Sequence, residues 1–184
     1  MINIPNFLSL IRIAITPFIV ISILNANLKF ALFLFVFAGV TDLLDGYIAR
    51  TFKSQTKLGN ILDPFADKIL MISTFITIAY TNMIPTWFAI ILVIKDSLMI
   101  MVYFISKALR LKSDIKAMFW GKLNTFNQLI TVAFLFLFFN DINNSKELRY
   151  ALYALICLNL LTTFISAIKY LIIWMRINKI DARI

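Results

Sequence analysis

The chain alternates between long apolar runs and short polar breaks. The breaks contain polar or helix-stopping residues and fall at residues 25–27, 51–57, 81–85, 109–116 and 140–145. About 20 apolar residues are enough for a helix to cross a bilayer. The pattern therefore predicts six transmembrane helices, over residues 6–24, 29–50, 60–80, 85–107, 121–139 and 147–175.

Composition supports a membrane location for these helices. Hydrophobic residues make up 61% of the 184 positions, and the mean hydropathy is +0.90. Soluble domains contain roughly 45–50% apolar residues. No break is long enough to separate domains. We therefore expect an all-α integral membrane protein with one domain over residues 1–184.

The net charge of +9 indicates anionic lipid as a partner. The basic residues are dispersed between apolar runs and form no continuous stripe, so no nucleic-acid partner is expected. They are concentrated in the second and fourth breaks and in the C-terminal tail, which favours a cytoplasmic position for these segments and for both termini. The N-terminal run lacks a basic n-region and a cleavage site. We expect a retained first span in a multi-pass protein of a bacterial inner membrane.

Four aspartates interrupt the second and third apolar runs. Asp42 and Asp45 end the second predicted helix, and Asp63 and Asp67 begin the third. Spacings of three and four place each pair on one helix face. An ionised Asp at the centre of a membrane helix costs roughly 2.5–3.5 kcal/mol. Two carboxylate faces that converge therefore need a compensating charge.

Two ordinary explanations of these aspartates remain open. The carboxylates could be solvated at a cytoplasmic helix end, or they could pair with Arg50, Lys57 and Lys68. Either explanation suits one aspartate, whereas four converging carboxylates are stable mainly around a cation. Hard oxygen ligands and the absence of histidine favour Mg²⁺ or Mn²⁺ over Zn²⁺.

The aspartates belong to a longer motif that resembles a known family signature. The sequence D-L-L-D-G-Y-I-A-R, eight further residues and G-N-I-L-D-P-F-A-D run from Asp42 to Asp67. This stretch resembles the signature D-x2-D-G-x2-A-R-x8-G-x3-D-x3-D of the CDP-alcohol phosphatidyltransferases at every fixed position. The resemblance implies a six-helix membrane fold, often dimeric, that uses a CDP-linked lipid and releases CMP. We therefore expect a homodimer that uses CDP-diacylglycerol.

The resemblance also implies roles for the four aspartates. Asp42, Asp45 and Asp63 correspond to metal ligands that hold the pyrophosphate. Asp67 corresponds to a ligand that also accepts the proton of the acceptor hydroxyl. Two divalent ions, Mg²⁺ or Mn²⁺, are expected.

Small residues accompany the aspartates on the same helix faces. Gly46, Ala49 and Gly59 resemble the residues that wall the nucleotide in the family, and Arg50 is expected to support the cleft or to meet phosphate. Close packing between neighbouring helices explains each small residue equally well.

The acceptor alcohol is indicated by residues outside this motif. The opening N-I-P-N-F-L-S-L-I-R, ending at Arg12, resembles the start shared by phosphatidylglycerophosphate synthases and CMP-forming cardiolipin synthases. A glycerol-type acceptor is therefore expected. Lys95 and Asp96 resemble the arginine-aspartate pair of the cardiolipin synthases, and Tyr103 stands where phosphatidylglycerophosphate synthases have an arginine.

The segment from Gly121 to Gln128 also resembles the cardiolipin synthases. Phosphatidylglycerol is therefore the favoured acceptor, with glycerol 3-phosphate as the alternative. The expected acceptor-binding residues are Lys95, Asp96, Lys122 and Asn124. The lysine at position 122 is explained equally well by a side chain that extends its ammonium group to the membrane–water interface.

Two functions of other classes are alternatives. Buried acidic residues mark ion and proton pathways in membrane proteins, so an ion or proton transporter is an alternative. The carboxylates cluster at one membrane side, however, and no relay of charged residues continues across the other predicted helices. A non-catalytic protein that retains the fold is the third possibility, and the complete set of four aspartates argues against it.

Overall fold

The computed structural model describes residues 4–51, 59–108 and 119–181, and this part of the chain is all helical. The six helices are α1 (Ile4–Leu24), α2 (Leu28–Thr51), α3 (Gly59–Tyr80), α4 (Thr86–Ala108), α5 (Phe119–Ile142) and α6 (Lys146–Asp181). The all-α class and the six apolar helices predicted from the sequence are confirmed. The last helix extends six residues beyond the predicted end at residue 175.

Three helices are long and apolar enough, by length and composition, to cross a membrane. Among the described residues these spans are Phe7–Leu24, Gly121–Ile142 and Lys146–Lys169. The remaining helices α2, α3 and α4 carry the aspartates and lysines of the candidate site, and each charge lowers the mean hydropathy of a span. The count of six transmembrane helices remains a prediction.

Two of the short connections use the same left-handed backbone geometry. Ala26 after α1 and Asn82 after α3 have φ angles of 55° and 57°. Asn27 N donates to Ser22 O at 2.9 Å, and Met83 N donates to Ile78 O at 3.0 Å. This six-to-one hydrogen bond is the Schellman arrangement, which satisfies carbonyls at a helix end. It allows an immediate reversal of the chain into the next helix.

The chain divides into two compact units, Met1–Ile100 and Met101–Ile184. Within the N-terminal unit, α1 packs against both α2 and α3. Phe75 of α3 and Phe88 of α4 are buried and meet edge to face, with ring centroids 6.4 Å apart. The expectation of one domain over residues 1–184 stays a prediction.

Within the C-terminal unit, α5 packs against α6 through a strip of buried polar side chains. We call the following residues the polar strip: Asn124, Asn127, Gln128, Thr131, Asn159, Thr162, Thr163 and Ser166. Asn159 Nδ2 donates to Thr131 Oγ1 at 2.6 Å. Hydrogen bonds between polar side chains hold membrane helices together where both helices are otherwise as apolar as lipid. The strip therefore fixes how α5 and α6 face each other.

Candidate functional site

A buried arginine on α1 pairs with the first aspartate of the motif. Arg12 Nη1 lies 2.6 Å from Asp42 Oδ1 of α2. The two side chains differ in exposure, since Arg12 is 1% exposed and Asp42 is 46% exposed. The guanidinium thus lies behind the carboxylate, and the carboxylate faces an accessible space.

The local sequence of α1 explains why Arg12 points inward. The buried positions of α1 recur every three or four residues, which places them on one face of the helix. They are Ser9, Arg12, Thr16, Ile19, Ser22 and Ile23. Thr16 Oγ1 donates to Arg12 O at 2.9 Å. This face is the one that α1 turns towards its neighbours.

Asp67 of α3 belongs to the same electrostatic neighbourhood. Its carboxylate lies close enough to Asp42 and Arg12 for their charges to act on it. Asp67 is partly exposed, and Lys68 follows it at a buried position. The charges of the first and last aspartates of the motif, from two different helices, therefore act on each other, and convergence of all four aspartates stays a prediction.

For six other residues expected at the site, the structure describes the backbone alone. These residues are Asp45, Gly46, Ala49, Arg50, Gly59 and Asp63, and their backbone lies in α2 or α3. Among the described side chains, no group of three or more potential metal ligands occurs. The four-aspartate metal site therefore remains a prediction.

The donor chemistry at the described positions fits a hard divalent cation. Asp42 and Asp67 contribute carboxylate oxygens, which Mg²⁺ and Mn²⁺ prefer. Asp42 uses Oδ1 for Arg12, and its side chain is nearly half exposed. Asp42 is thus an accessible carboxylate held in place by the guanidinium of Arg12. Such an arrangement suits a metal ligand, because it orients the carboxylate before the metal ion binds.

A second charged cluster lies between α3 and α4. It consists of Lys68, Lys95 and Asp96, and we call it the lysine pair cluster. Lys68 Nζ lies 3.2 Å from Asp96 Oδ1, and Lys95 Nζ lies 2.8 Å from the same oxygen. All three residues are buried, with exposures of 8%, 7% and 1% in that order. Charged groups removed from solvent in this way are stable only when they are paired.

This cluster joins residues expected at the acceptor to the neighbour of the proposed base. Lys95 and Asp96 were expected at the acceptor, and Lys68 directly follows the proposed base Asp67. The structure brings Lys95 and Asp96 together and adds Lys68 to them. Their part in acceptor binding stays a prediction.

The two remaining expected acceptor residues lie in the C-terminal unit. Lys122 is exposed. Asn124 is fully buried in the polar strip, where its Oδ1 accepts hydrogen bonds from Thr162 Oγ1 at 3.0 Å and Thr163 Oγ1 at 2.7 Å. Within the described structure its Nδ2 has no hydrogen-bond partner. Asn124 therefore joins α5 to α6, and acceptor binding by it stays a prediction.

Sequence reasoning missed the role of Arg12. The sequence places this residue in an opening motif and indicates Arg50, Lys57 and Lys68 as partners of the aspartates. The structure pairs Asp42 with Arg12 and Lys68 with Asp96, while the side chains of Arg50 and Lys57 lie outside the described residues. One signal was available, because an arginine within the apolar run F-L-S-L-I-R-I-A-I needs an acidic partner inside the membrane protein.

Apolar helices long enough to cross a bilayer and charge pairs between helices of the N-terminal unit define an integral membrane protein with a polar site. A family model described as CDP-alcohol phosphatidyltransferase matches residues 2–178. The chain therefore belongs to the CDP-alcohol phosphatidyltransferase family, as its motif indicated. Members of this family generally depend on divalent metal.

Relatives of known name fall into two groups. The chain is 35% identical over 147 residues to the human cardiolipin synthase (CMP-forming), an alignment that covers 71% of this chain and 49% of the relative. It is 31% identical over 175 residues to the CDP-diacylglycerol–glycerol-3-phosphate 3-phosphatidyltransferase of Haemophilus influenzae. That second alignment covers 92% of this chain and 91% of the relative.

The cardiolipin synthases also include bacterial and other mammalian relatives. The Streptomyces coelicolor cardiolipin synthase (CMP-forming) is 29% identical over 141 residues, covering 73% of this chain and 65% of the relative. The chain spans about half the length of the rat and human cardiolipin synthases that it matches, 49% in each case. Glycerol 3-phosphate thus appears in the name of one relative, and cardiolipin appears in the names of the others.

Proposed function

We propose that the protein transfers a phosphatidyl group from CDP-diacylglycerol to a glycerol-type acceptor and releases CMP. The observation that carries this proposal is the ion pair of buried Arg12 with Asp42 at 2.6 Å, together with the electrostatic influence of both residues on Asp67 at the other end of the family motif. Helix α1, which carries Arg12, packs against both of the helices that supply these aspartates.

The proposed metal ligands are Asp42, Asp45, Asp63 and Asp67, around two ions of Mg²⁺ or Mn²⁺. When bound, the ions would offset the charge of the pyrophosphate and of the departing CMP. Gly46, Ala49 and Gly59 are proposed to wall the nucleotide, with Arg50 near its phosphates. Small side chains at these positions leave room for a bulky group beside the backbone.

The protein's own catalytic group in this proposal is Asp67. The acceptor hydroxyl oxygen forms a bond to the phosphatidyl phosphorus, and the bond from that phosphorus to the CMP oxygen breaks. CMP leaves with the bonding electrons, and the hydroxyl proton passes to the Asp67 carboxylate. A carboxylate serves because the chain contains no histidine.

Phosphatidylglycerol is the proposed acceptor, which makes the product cardiolipin. Both candidate acceptors present a glycerol hydroxyl three carbons away from an anionic phosphate. The lysine pair cluster is proposed to attract that phosphate, since it places two ammonium groups around one carboxylate beside Asp67. Resemblance at Lys95, Asp96 and residues 121–128 favours the cardiolipin synthases. Lys122 and Asn124 are proposed as further acceptor residues.

Glycerol 3-phosphate is the second candidate acceptor, and one observation favours it. The Haemophilus influenzae relative that aligns with 92% of this chain is named for transfer to glycerol 3-phosphate. The family assignment, in contrast, lends no support to an ion or proton transporter.

The assembly and location are also proposals. We infer a homodimer in a bacterial inner membrane, with both termini and the aspartates on the cytoplasmic side. Light scattering of the purified protein tests the dimer, and labelling of introduced surface cysteines in intact cells tests the orientation.

The test of the function uses purified protein in detergent with radiolabelled CDP-diacylglycerol and Mg²⁺ or Mn²⁺. Phosphatidylglycerol and glycerol 3-phosphate are supplied separately, and released CMP is measured. We expect CMP release that depends on acceptor and metal, with phosphatidylglycerol the better acceptor. Asp141→Asn is the matched control for aspartate variants, because Asp141 is an exposed carboxylate at the end of α5. No CMP release with either acceptor would contradict the proposal.

A further inference from the structure

Arg12 is the buried charge that the proposed chemistry does not use. It lies on α1, is 0% exposed as a whole residue, and belongs to the opening motif that ends at this position. A guanidinium taken out of water carries a large desolvation cost unless a partner compensates it. A residue kept in this environment needs a reason beyond packing.

The geometry of its partner suggests that reason. Arg12 contacts Oδ1 of Asp42 at 2.6 Å. This ion pair uses one of the two carboxylate oxygens of Asp42. The side chain of Asp42 is 46% exposed while that of Arg12 is 1% exposed. One carboxylate oxygen is therefore held from the protein side, while nearly half of the Asp42 side chain stays accessible.

The charge of Arg12 has a second consequence for the site. Carboxylates brought together raise each other's energy, and a nearby cation lowers it. Arg12 acts electrostatically on Asp67 as well as on Asp42. One buried arginine thus offsets repulsion between aspartates that come from two helices.

We propose that Arg12 is a positioning residue for the divalent-cation site. It holds Asp42 so that Oδ2 is presented as a cation ligand, and it stabilises the converged aspartates before the cation arrives. This inference rests on the proposed function, because it requires a cation at the aspartates. Groups that orient a metal ligand in this way typically change metal affinity by about 10-fold to 100-fold when removed.

The alternative is that Arg12 only joins α1 to α2. The two roles differ in a measurable way, because a purely structural pair changes thermal stability without changing cation affinity. The test therefore uses Mn²⁺ binding to the purified full chain, followed by the electron paramagnetic resonance signal of free Mn²⁺, with no substrate present. The melting temperature without metal is measured in parallel.

Arg12→Met is the main variant, and we expect it to weaken Mn²⁺ binding by about 10-fold to 100-fold. Arg12→Lys keeps the charge but loses the planar fork of donors, so a smaller loss of several-fold is expected. Arg12→Lys also keeps the test decisive if Arg12→Met does not fold. Arg149→Met is the matched control, because Arg149 is exposed and donates to Asn143 O in the α5–α6 turn at 3.0 Å. The control should bind Mn²⁺ as the unmodified protein does.

Mn²⁺ affinity equal to that of the unmodified protein in Arg12→Lys, and in Arg12→Met if it folds, would overturn the positioning role, whatever happens to the melting temperature. Failure of the proposed function gives a different result. In that case the unmodified protein itself shows no Mn²⁺ binding and no CMP release, and the inference falls with it.

Discussion

Lys68 of α3 and Asp96 of α4 form a buried ion pair, with Nζ and Oδ1 3.2 Å apart. Lys68 directly follows Asp67 in the sequence. Lys95 contacts the same oxygen from α4. The pair links the helix that carries the proposed base to the helix that carries the expected acceptor residues. The charges of Lys68 and Asp96 therefore act on the proposed base Asp67.

Replacing Lys68 by Met should weaken acceptor binding selectively. The variant keeps the Lys95–Asp96 pair but removes one positive charge from the proposed acceptor phosphate. A hydrogen bond to a charged group contributes about 1.5–3 kcal/mol, so we expect the acceptor KM to rise by about 10-fold to 100-fold. The KM for CDP-diacylglycerol should remain unchanged. Steady-state kinetics with each substrate varied in turn measures both values.

Lys29→Met is the control for this change, because Lys29 is an exposed lysine of the same unit. It should leave both KM values unaltered. An equal rise in both KM values for Lys68→Met would show general disruption of the site, and the assignment of Lys68 to the acceptor would be wrong.

Replacing Asp96 by Asn should have a different effect, on stability. Asp96 is the common partner of two buried lysines, so the change leaves two ammonium groups close together without the carboxylate. Removing one partner of a buried pair destabilises proteins by about 3–5 kcal/mol. A clear fall in melting temperature in detergent is expected. A melting temperature like that of Asp141→Asn would show that the cluster does not hold α3 against α4.

Aspartates of the motif should separate into two functional kinds. Asp67→Asn should abolish turnover while CDP-diacylglycerol still binds, because an amide cannot accept the hydroxyl proton as a carboxylate does. Asp42→Asn should also lose metal-dependent binding of the lipid. Equilibrium binding of radiolabelled CDP-diacylglycerol with and without Mg²⁺ distinguishes the two. Near-normal turnover by Asp67→Asn would refute its assignment as base.

Backbone strain at Ala26 offers a test of the fold that is independent of function. Ala26 has a φ angle of 55°, a conformation that costs a residue with a Cβ atom about 1–2 kcal/mol. Ala26→Gly should therefore raise the melting temperature. Ala14→Gly, at an exposed position inside α1, should instead lower stability by about 0.5–1 kcal/mol. Equal destabilisation of both variants would show that Ala26 does not have a positive φ angle in the α1–α2 turn.

Much of the fold followed from the sequence because bilayer thickness sets the length of an apolar helix. The predicted helix ends differ from the observed ends by no more than three residues until the end of α6, which continues to Asp181. Its last turns contain Arg176, Lys179 and Asp181. Polar residues of this kind carry no apolar pattern, so the sequence could not place the end.

The candidate site could be predicted only in part. Spacings of three and four residues place side chains on a helix face, which identified the aspartates. They do not say which helix that face meets. The contacts of Arg12 with Asp42 and of Lys68 with Asp96 depend on the neighbours and rotation of each helix. These are properties of the packed structure and leave no periodic trace in one sequence.

The most direct test of the account follows the phosphatidyl group into the lipid product. The purified protein is given CDP-diacylglycerol, Mg²⁺ and phosphatidylglycerol with deuterated acyl chains, and lipids and CMP are quantified by mass spectrometry. We predict deuterated cardiolipin and CMP in equal amounts, both absent in Asp67→Asn and unchanged in Asp141→Asn. Glycerol 3-phosphate supplied in a parallel reaction would give phosphatidylglycerophosphate if it is the true acceptor. Absence of a new phospholipid with both acceptors, under conditions in which the protein remains folded, would contradict the account.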